Sequence, residues 1–241
     1  MRGTMEDPML ECHNITKRFG GIEALHEVSF VVGREECVGI IGPNGAGKTT
    51  LLNVISGHMK PTKGKVKFMG RDITGRRPSQ LVKMGVARTF QIVRVFKNMT
   101  VFENFQTVTD TPEAYLSELG LERKGGYLAK ELSMGELRRL NIGLVLATKP
   151  KLLLLDEPYS GLSPKESAEL SNLIRSLREK GMTMVIVEHR LRELFDNVER
   201  VIVLNQGKQI CDGTPEEVVK HSAVIEAYLG LGYEQPEKVG V

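Results

Sequence analysis

Residues 42–49 read Gly-Pro-Asn-Gly-Ala-Gly-Lys-Thr, the pattern G-x-x-x-x-G-K-[ST]. They lie between an apolar run, residues 37–41, and a stretch of helical spacing whose apolar face is Leu51, Leu52, Val54 and Ile55. A glycine-rich turn that leaves a buried strand and opens a helix aims successive backbone N–H groups at one point, at the positive end of the helix dipole. In such a loop, here Gly42, Pro43, Asn44, Gly45, Ala46, Gly47, Lys48 and Thr49 with Thr50 behind it, the amides cradle phosphate oxygens. Lys48 would reach the terminal phosphates and the Thr49 hydroxyl would ligate Mg²⁺. The alternative, a glycine-rich turn of purely structural use, is disfavoured by the strand–helix context.

The remaining pattern fits an α/β chain. Residues 152–155 and 184–187 are apolar without alternation, as strands covered on both faces of a parallel sheet are. Residues 164–180 between them read as a helix, so strand, helix and strand recur in the order of an α/β fold. Residues 10–73 alternate short apolar runs with turn residues and read largely as strands, with turns at Gly33 and at residues 61–64 and a half-exposed strand at 65–68. The weakest pattern, residues 106–131, is broken by Pro112 and Gly125-Gly126 and reads as a helical insertion. A helix through Leu137, Leu140, Leu144 and Ala147 stops at Lys149-Pro150. Near the end come a hairpin around Gln206-Gly207 and a last helix opened by Thr214-Pro215-Glu216-Glu217, a cap residue, proline at the first helical position and Glu three after the cap.

Composition excludes several classes. The 241 residues, 41% apolar and 26% charged, are those of an ordinary globular chain, at the upper end of what one core organises. No apolar run approaches the roughly 18 residues of a membrane span. With 33 basic against 30 acidic residues spread along the chain, charge gives nucleic-acid binding no support. Cys12, Cys37 and Cys211 are odd in number and widely separated, so neither a disulfide framework nor a zinc site is suggested, and a reducing cytoplasm fits. No apolar signal-peptide region is present at the amino end, and Met1, Met5 and Met9 leave the native start open; residues 1–8 are expected to be a disordered or non-native leader.

A phosphate loop needs a carboxylate for its metal, and Asp156-Glu157 follows a buried strand at its carboxyl end, where ligands of open α/β sheets bind. Asp156 would hold Mg²⁺, usually through water, and Glu157 would polarise an attacking water as general base. The alternative is an acidic turn before Pro158. The second acid argues for hydrolysis rather than binding alone.

Further motifs sort among phosphate-loop families. Leu132-Ser133-Met134-Gly135-Glu136 resembles the LSGGQ signature of ATP-binding-cassette (ABC) ATPases, and other elements of that family fall in order over residues 10–230. Phe19 stands where an aromatic stacks on adenine, Gln91 in the Q-loop, Ser160-Gly161-Leu162-Ser163 in the D-loop and His189 at the switch histidine. The resemblance implies a RecA-like phosphate-loop NTPase core with an N-terminal antiparallel β subdomain and a helical insertion, ATP and Mg²⁺ as ligands, and Gln91 as a further Mg²⁺ and catalytic contact. It also implies a head-to-tail dimer in which the signature helix of one copy meets the γ-phosphate held by the other. Ser133 and Glu136 form a capping box that fixes the start of that helix. Met134 replaces the usual glycine, Glu136 the commoner glutamine and Phe19 the commoner tyrosine; Ser133 and Gly135, which face the phosphate in the family, are kept. Phe19 could equally belong to the core, and His189 has no second His or Cys at metal-ligand spacing.

Residues 85–91 (Gly-Val-Ala-Arg-Thr-Phe-Gln), 99–104 and 227–230 are similar to the ATPase subunits of branched-chain amino acid importers. That resemblance implies membrane permease subunits, a substrate-binding protein acting through them, a second cassette (identical or a paralogue), no nucleic acid, and a peripheral place on the cytoplasmic face of the inner membrane for a chain soluble when isolated. Residues 92–96, Ile-Val-Arg-Val-Phe, are expected either to receive the permease or to pack internally. The insertion is shorter than in many such subunits. The expected organisation is one ATPase domain over residues 9–230, with a helical subdomain at about 92–148 and a tail at 231–241. A lipid or lipopolysaccharide exporter and a cytosolic ABC ATPase acting on nucleic acid or ribosomes are the alternatives.

Overall fold

A computed structural model describes residues 8–90 and 95–229. A hairpin of β1 (Leu10–Phe19) and β2 (Ile22–Val32) leads to β3 (Cys37–Ile41), the phosphate loop and α1 (Lys48–Ile55). β4 (Lys63–Phe68), β5 (Arg71–Asp72), α2 (Pro78–Met84) and β6 (Val86–Arg88) follow. The middle is helical, with α3 (Val101–Gln106), α4 (Pro112–Glu118), two short 3₁₀ turns and α5 (Met134–Leu146). The chain then alternates β7 (Leu152–Asp156), α6 (Pro164–Glu179), β8 (Thr183–Val187) and α7 (Leu191–Phe195), before β9 (Arg200–Asn205), β10 (Lys208–Gly213), α8 (Pro215–Lys220) and α9 (Ser222–Leu229).

The strands form an antiparallel sheet in the order β2-β1-β4-β5 and a central sheet in the order β10-β9-β3-β8-β7-β6. In the central sheet the pairs from β9 to β6 are parallel and β10 returns antiparallel. Side chains alternate across a strand, so each continuous apolar run divides between two buried layers. Val38, Ile40, Leu152, Leu154, Val185 and Val187 pack with α1 and with Ile15, Phe30 and Val66 of the antiparallel sheet. Cys37, Ile41, Leu153, Leu155, Met184 and Ile186 pack with Leu140 and Ile142 of α5 and Leu170 and Ile174 of α6. Burial on both faces, at about 1.5–3 kcal/mol for each fully buried aliphatic side chain, is why these runs show no polar alternation. The α/β phosphate-loop core and antiparallel β layer expected from the sequence are both present.

Val101 and Phe105 of α3, Leu116 of α4 and Leu119 join the same buried layer as β7 and β8. Asn104, fully buried in α3, holds the preceding loop: its amide donates to the carbonyls of Phe96 at 3.0 Å and Thr100 at 2.9 Å, and its oxygen accepts from Phe96 N–H at 2.8 Å.

Three local expectations are corrected. Pro112 does not break a helix but opens α4, where its missing N–H falls on a position with no intrahelical partner. Lys63 and Gly64 belong to β4 rather than to the turn, because Gly64 at φ +92° lets the strand approach β1 where a Cβ would lie 2.4 Å from the Asn14 carbonyl oxygen. The closing helix is divided: His221, extended at ψ 121°, ends α8 before α9 begins. Among the described residues, no helix is long and apolar enough to cross a membrane. Cys12, Cys37 and Cys211 are free thiols.

Candidate nucleotide site

The phosphate loop takes its shape from glycines and from distant backbone. Gly42 at φ +153° leaves no room for a Cβ, which would lie 2.1 Å from the Leu204 carbonyl oxygen; at Gly47, φ +103°, it would lie 2.7 Å from that of Ala24. Gly207 N–H donates to the Ala46 carbonyl at 3.0 Å, and His26 N–H to that of Gly207 at 2.8 Å, so the loop is clamped between β2 and the β9–β10 turn. Helices α3, α5, α6 and α8 each start with a Ser or Thr cap whose oxygen accepts an N–H and a Glu that reaches back. By contrast, α1 starts at Gly47, with no side-chain cap and no acid in its first turn. No side chain therefore caps its first N–H donors, the condition under which a helix start can receive an anion.

Lys48 is buried, and its Nζ donates to the carbonyls of Gly42 at 2.6 Å and Pro43 at 3.1 Å. Burial pushes its ammonium down from the ordinary lysine range, against the pull of Glu157, Glu188 and Asp156. A cavity of about 200 Å³ is lined by Ala24, residues 44–50 and Glu157. Phe19 does not line it; it stands at the β1–β2 hairpin tip, 47% exposed, with Lys17 Nζ 5.2 Å from its ring centroid.

Asp156 ends β7 and is buried, its Oδ2 paired with Arg88 Nη2 at 2.7 Å. Glu157 follows at φ +45°, a left-handed conformation costly to a residue with a Cβ and typical of functional turns. His189 Nδ1 lies 3.9 Å from Glu157 Oε2 and 3.6 Å from Glu188 Oε2. Glu188, fully buried, accepts the N–H of His189 at 2.9 Å and of Tyr159 at 3.2 Å. Burial pushes its carboxyl up, and those N–H groups partly offset the shift. Asp156, Glu157, Glu188 and His189 thus gather at the carboxyl ends of β7 and β8, beside Lys48.

At the signature, Glu136 N–H donates to Ser133 Oγ at 3.3 Å and Ser133 N–H to Glu136 Oε2 at 2.8 Å, closing the expected capping box. Met134 is 48% exposed and Gly135 is buried. The Gly135 N–H donates to Glu166 Oε1 at 2.9 Å, and the Ser133 hydroxyl also bonds that carboxylate. Glu166 meanwhile closes its own box with Ser163, the cap of α6. In the D-loop, Arg138 donates to the Ser160 carbonyl at 3.3 Å and to that of Phe90 at 3.4 Å. Arg190 donates to the carbonyls of Tyr159 at 3.1 Å and Leu162 at 3.4 Å. Gly161 makes the turn at φ +77°. Gln91 lies outside the described residues, as do Ile92, Val93 and Arg94. Sequence reasoning missed Arg88, Arg138, Glu166, Glu188 and Arg190 as parts of this region; the visible signals were the Ser163-x-x-Glu166 box and the charge of Glu188 directly after an apolar run.

The sequence matches the family model described as ABC transporter over residues 25–160. The chain belongs to the ABC transporter ATP-binding cassette family. This cassette is 38% identical to the high-affinity branched-chain amino acid transport ATP-binding protein LivG of Salmonella typhimurium, over 94% of the cassette and 99% of LivG. It is 37% identical, over the same shares, to BraF of Pseudomonas aeruginosa, described in the same words. A second model, for the branched-chain amino acid ATP-binding cassette transporter, matches residues 208–234, whose described part runs from β10 through α9. Among solved structures, the ADP conformation of MJ1267, an ATP-binding cassette of an ABC transporter, superposes with a TM-score of 0.87 at 33% identity, covering 93% of the cassette and 100% of that chain. CbiO1 from Clostridium perfringens, part of the ABC transporter complex cbiONQ, gives a TM-score of 0.82 at 27% identity, covering 94% and 97%.

Proposed function

We propose that the cassette is the ATP-hydrolysing subunit of a branched-chain amino acid importer, held by separate permease chains at the cytoplasmic face of the membrane. The relatives' names support the cargo. The observation that carries the chemistry is the shared cavity of Glu157 and the phosphate loop. The bare start of α1 binds the phosphates, and Lys48 exchanges two loop carbonyls for phosphate oxygens. Phe19, exposed at its hairpin tip, stacks on adenine. Thr49 and Asp156 offer hard oxygen donors, the set that suits Mg²⁺. When bound, the ion neutralises charge developing on the phosphates. Glu157 takes the proton of the attacking water, and His189, placed between two carboxylates, reaches toward the γ-phosphate.

The site is completed by a second copy or a paralogue. Ser133 and Gly135 of that copy meet the γ-phosphate, and its D-loop, residues 160–163, lies against the shared interface. Docking of the permease falls after β6, where Phe96 is 59% exposed. The decisive experiment is Glu157→Gln: turnover falls by about 10²-fold or more, as for loss of a general base, while ATP is retained and the variant dimerises with ATP in light scattering. Near-normal hydrolysis would remove Glu157 from this role, and a strictly monomeric species at saturating ATP would remove the shared site. Co-purification with a permease, and ATPase stimulation by a leucine-loaded binding protein, test the cargo.

A further inference from the structure

Arg88 ends β6 with its side chain 5% exposed, and its guanidinium bonds two further elements at once, β7 and α1. Nη2 donates to Asp156 Oδ2 at 2.7 Å, while Nη1 donates to Asn53 Oδ1 at 2.7 Å and Ser56 Oγ at 2.8 Å. Asn53 lies in α1 and Ser56 is its C-cap, so these two bonds tie Arg88 to the helix that begins with Lys48 and Thr49. The guanidinium also sits 5.3 Å from the ring centroid of Phe90, the residue before Gln91.

Burying a cation at the edge of a sheet is unfavourable unless it is paired, and here both Nη atoms are paired while Nε is buried without a hydrogen-bond partner among the described residues; an apolar residue would fill the same space without that cost. The three acceptors are divided between two guanidinium nitrogens, which a rigid planar fork holds apart and a single ammonium nitrogen does not. With Oδ2 engaged by Arg88, the Asp156 carboxylate is oriented with its other oxygen left to offer. We propose that Arg88 is a positioning residue that presets the Asp156 carboxylate for the nucleotide-bound divalent cation and ties its placement to the helix carrying Lys48 and Thr49. This rests on the reading of Asp156 as the carboxylate that holds Mg²⁺.

The test uses the full chain with Arg88→Met, Arg88→Lys, Asp156→Asn and the double variant Arg88→Met/Asp156→Asn. The Mg²⁺ concentration for half-maximal ATPase is measured beside the affinity for a fluorescent ADP analogue, in EDTA and in Mg²⁺. Outer-shell partners of metal ligands are typically worth 10–100-fold in metal affinity. Both Arg88 variants are therefore expected to raise the Mg²⁺ requirement about tenfold, with affinity in EDTA unchanged. In the Asp156→Asn background, Arg88→Met should add nothing.

A lowered requirement in Arg88→Met with Arg88→Lys unchanged would mean that Arg88 acts as a neighbouring charge, and would overturn the proposal. So would a full further loss on top of Asp156→Asn. If Asp156→Asn itself keeps the parent Mg²⁺ requirement, the reading of Asp156 fails instead. Where Arg88→Met does not fold, Arg88→Lys decides: it keeps the charge, so a raised requirement supports positioning and an unchanged one overturns it.

Discussion

Glu166→Gln separates a helix-capping charge from ordinary packing. Glu166 accepts N–H groups at the starts of two helices, Gly135 at 2.9 Å and Ser163 at 3.0 Å, and a hydroxyl from Ser163 at 2.8 Å. The Gly135 and Ser163 backbone bonds, followed by the hydroxyls of Ser163 and Ser133, hold its carboxyl down at about 2 from an ordinary 4.5. At about 1.4 kcal/mol per pKa unit that shift sets a ceiling of about 3 kcal/mol. Solvent reaches the carboxylate, so about half of it, 1–2 kcal/mol, is the expected loss for glutamine at pH 7. The sign follows from the depressed value. The contribution is fully present above the unfolded pKa near 4.5 and disappears as pH falls toward 2. Urea denaturation of both proteins at pH 7, 5.5, 4.5 and 3.5 should show a gap that is constant down to about pH 5 and then narrows. Equal stability at pH 7, or a gap that stays constant through pH 3.5, would refute the assignment to the ionised carboxylate.

Gly42→Ala should cost about 2–3 kcal/mol and abolish ADP binding, because its Cβ meets the Leu204 carbonyl at 2.1 Å in a backbone conformation that disfavours side chains; parent melting temperature and affinity would contradict this. Asn104→Ala removes the three amide bonds and the acceptor that hold the segment from Phe96 to Thr100, a loss of about 2–4 kcal/mol for buried groups left unpaired. Chemical denaturation checks that figure, and a loss under 1 kcal/mol would be too small for it.

The parts of the fold legible in the sequence were those written in consecutive residues. The loop at 42–49 needs glycines at fixed offsets, the strands of 152–155 and 184–187 are unbroken runs, and Ser133-x-x-Glu136 and Thr214-x-x-Glu217 spell their caps directly. Elements too short to show a period, such as α7 with five residues and β6 with three, gave no signal. Arg88 and Asp156 are 68 positions apart, Arg138 and Phe90 48, so no local window contains these pairs. Asp156 and Glu188 do leave a trace, each a charged residue directly abutting an apolar strand run, residues 152–155 and 184–187, and that trace does not say what the charge meets.

The clamp on the phosphate loop has a consequence for biosynthesis. The motif is complete once residue 49 leaves the ribosome, but the amide of Gly207 that holds Ala46, and the Leu204 carbonyl against which Gly42 packs, come more than 150 residues later. A nascent chain therefore carries the sequence of a nucleotide site long before it has the site. Nucleotide will favour the finished cassette over any partly synthesised or partly folded one, so ATP in the surrounding solution acts as a check that both sheets have met.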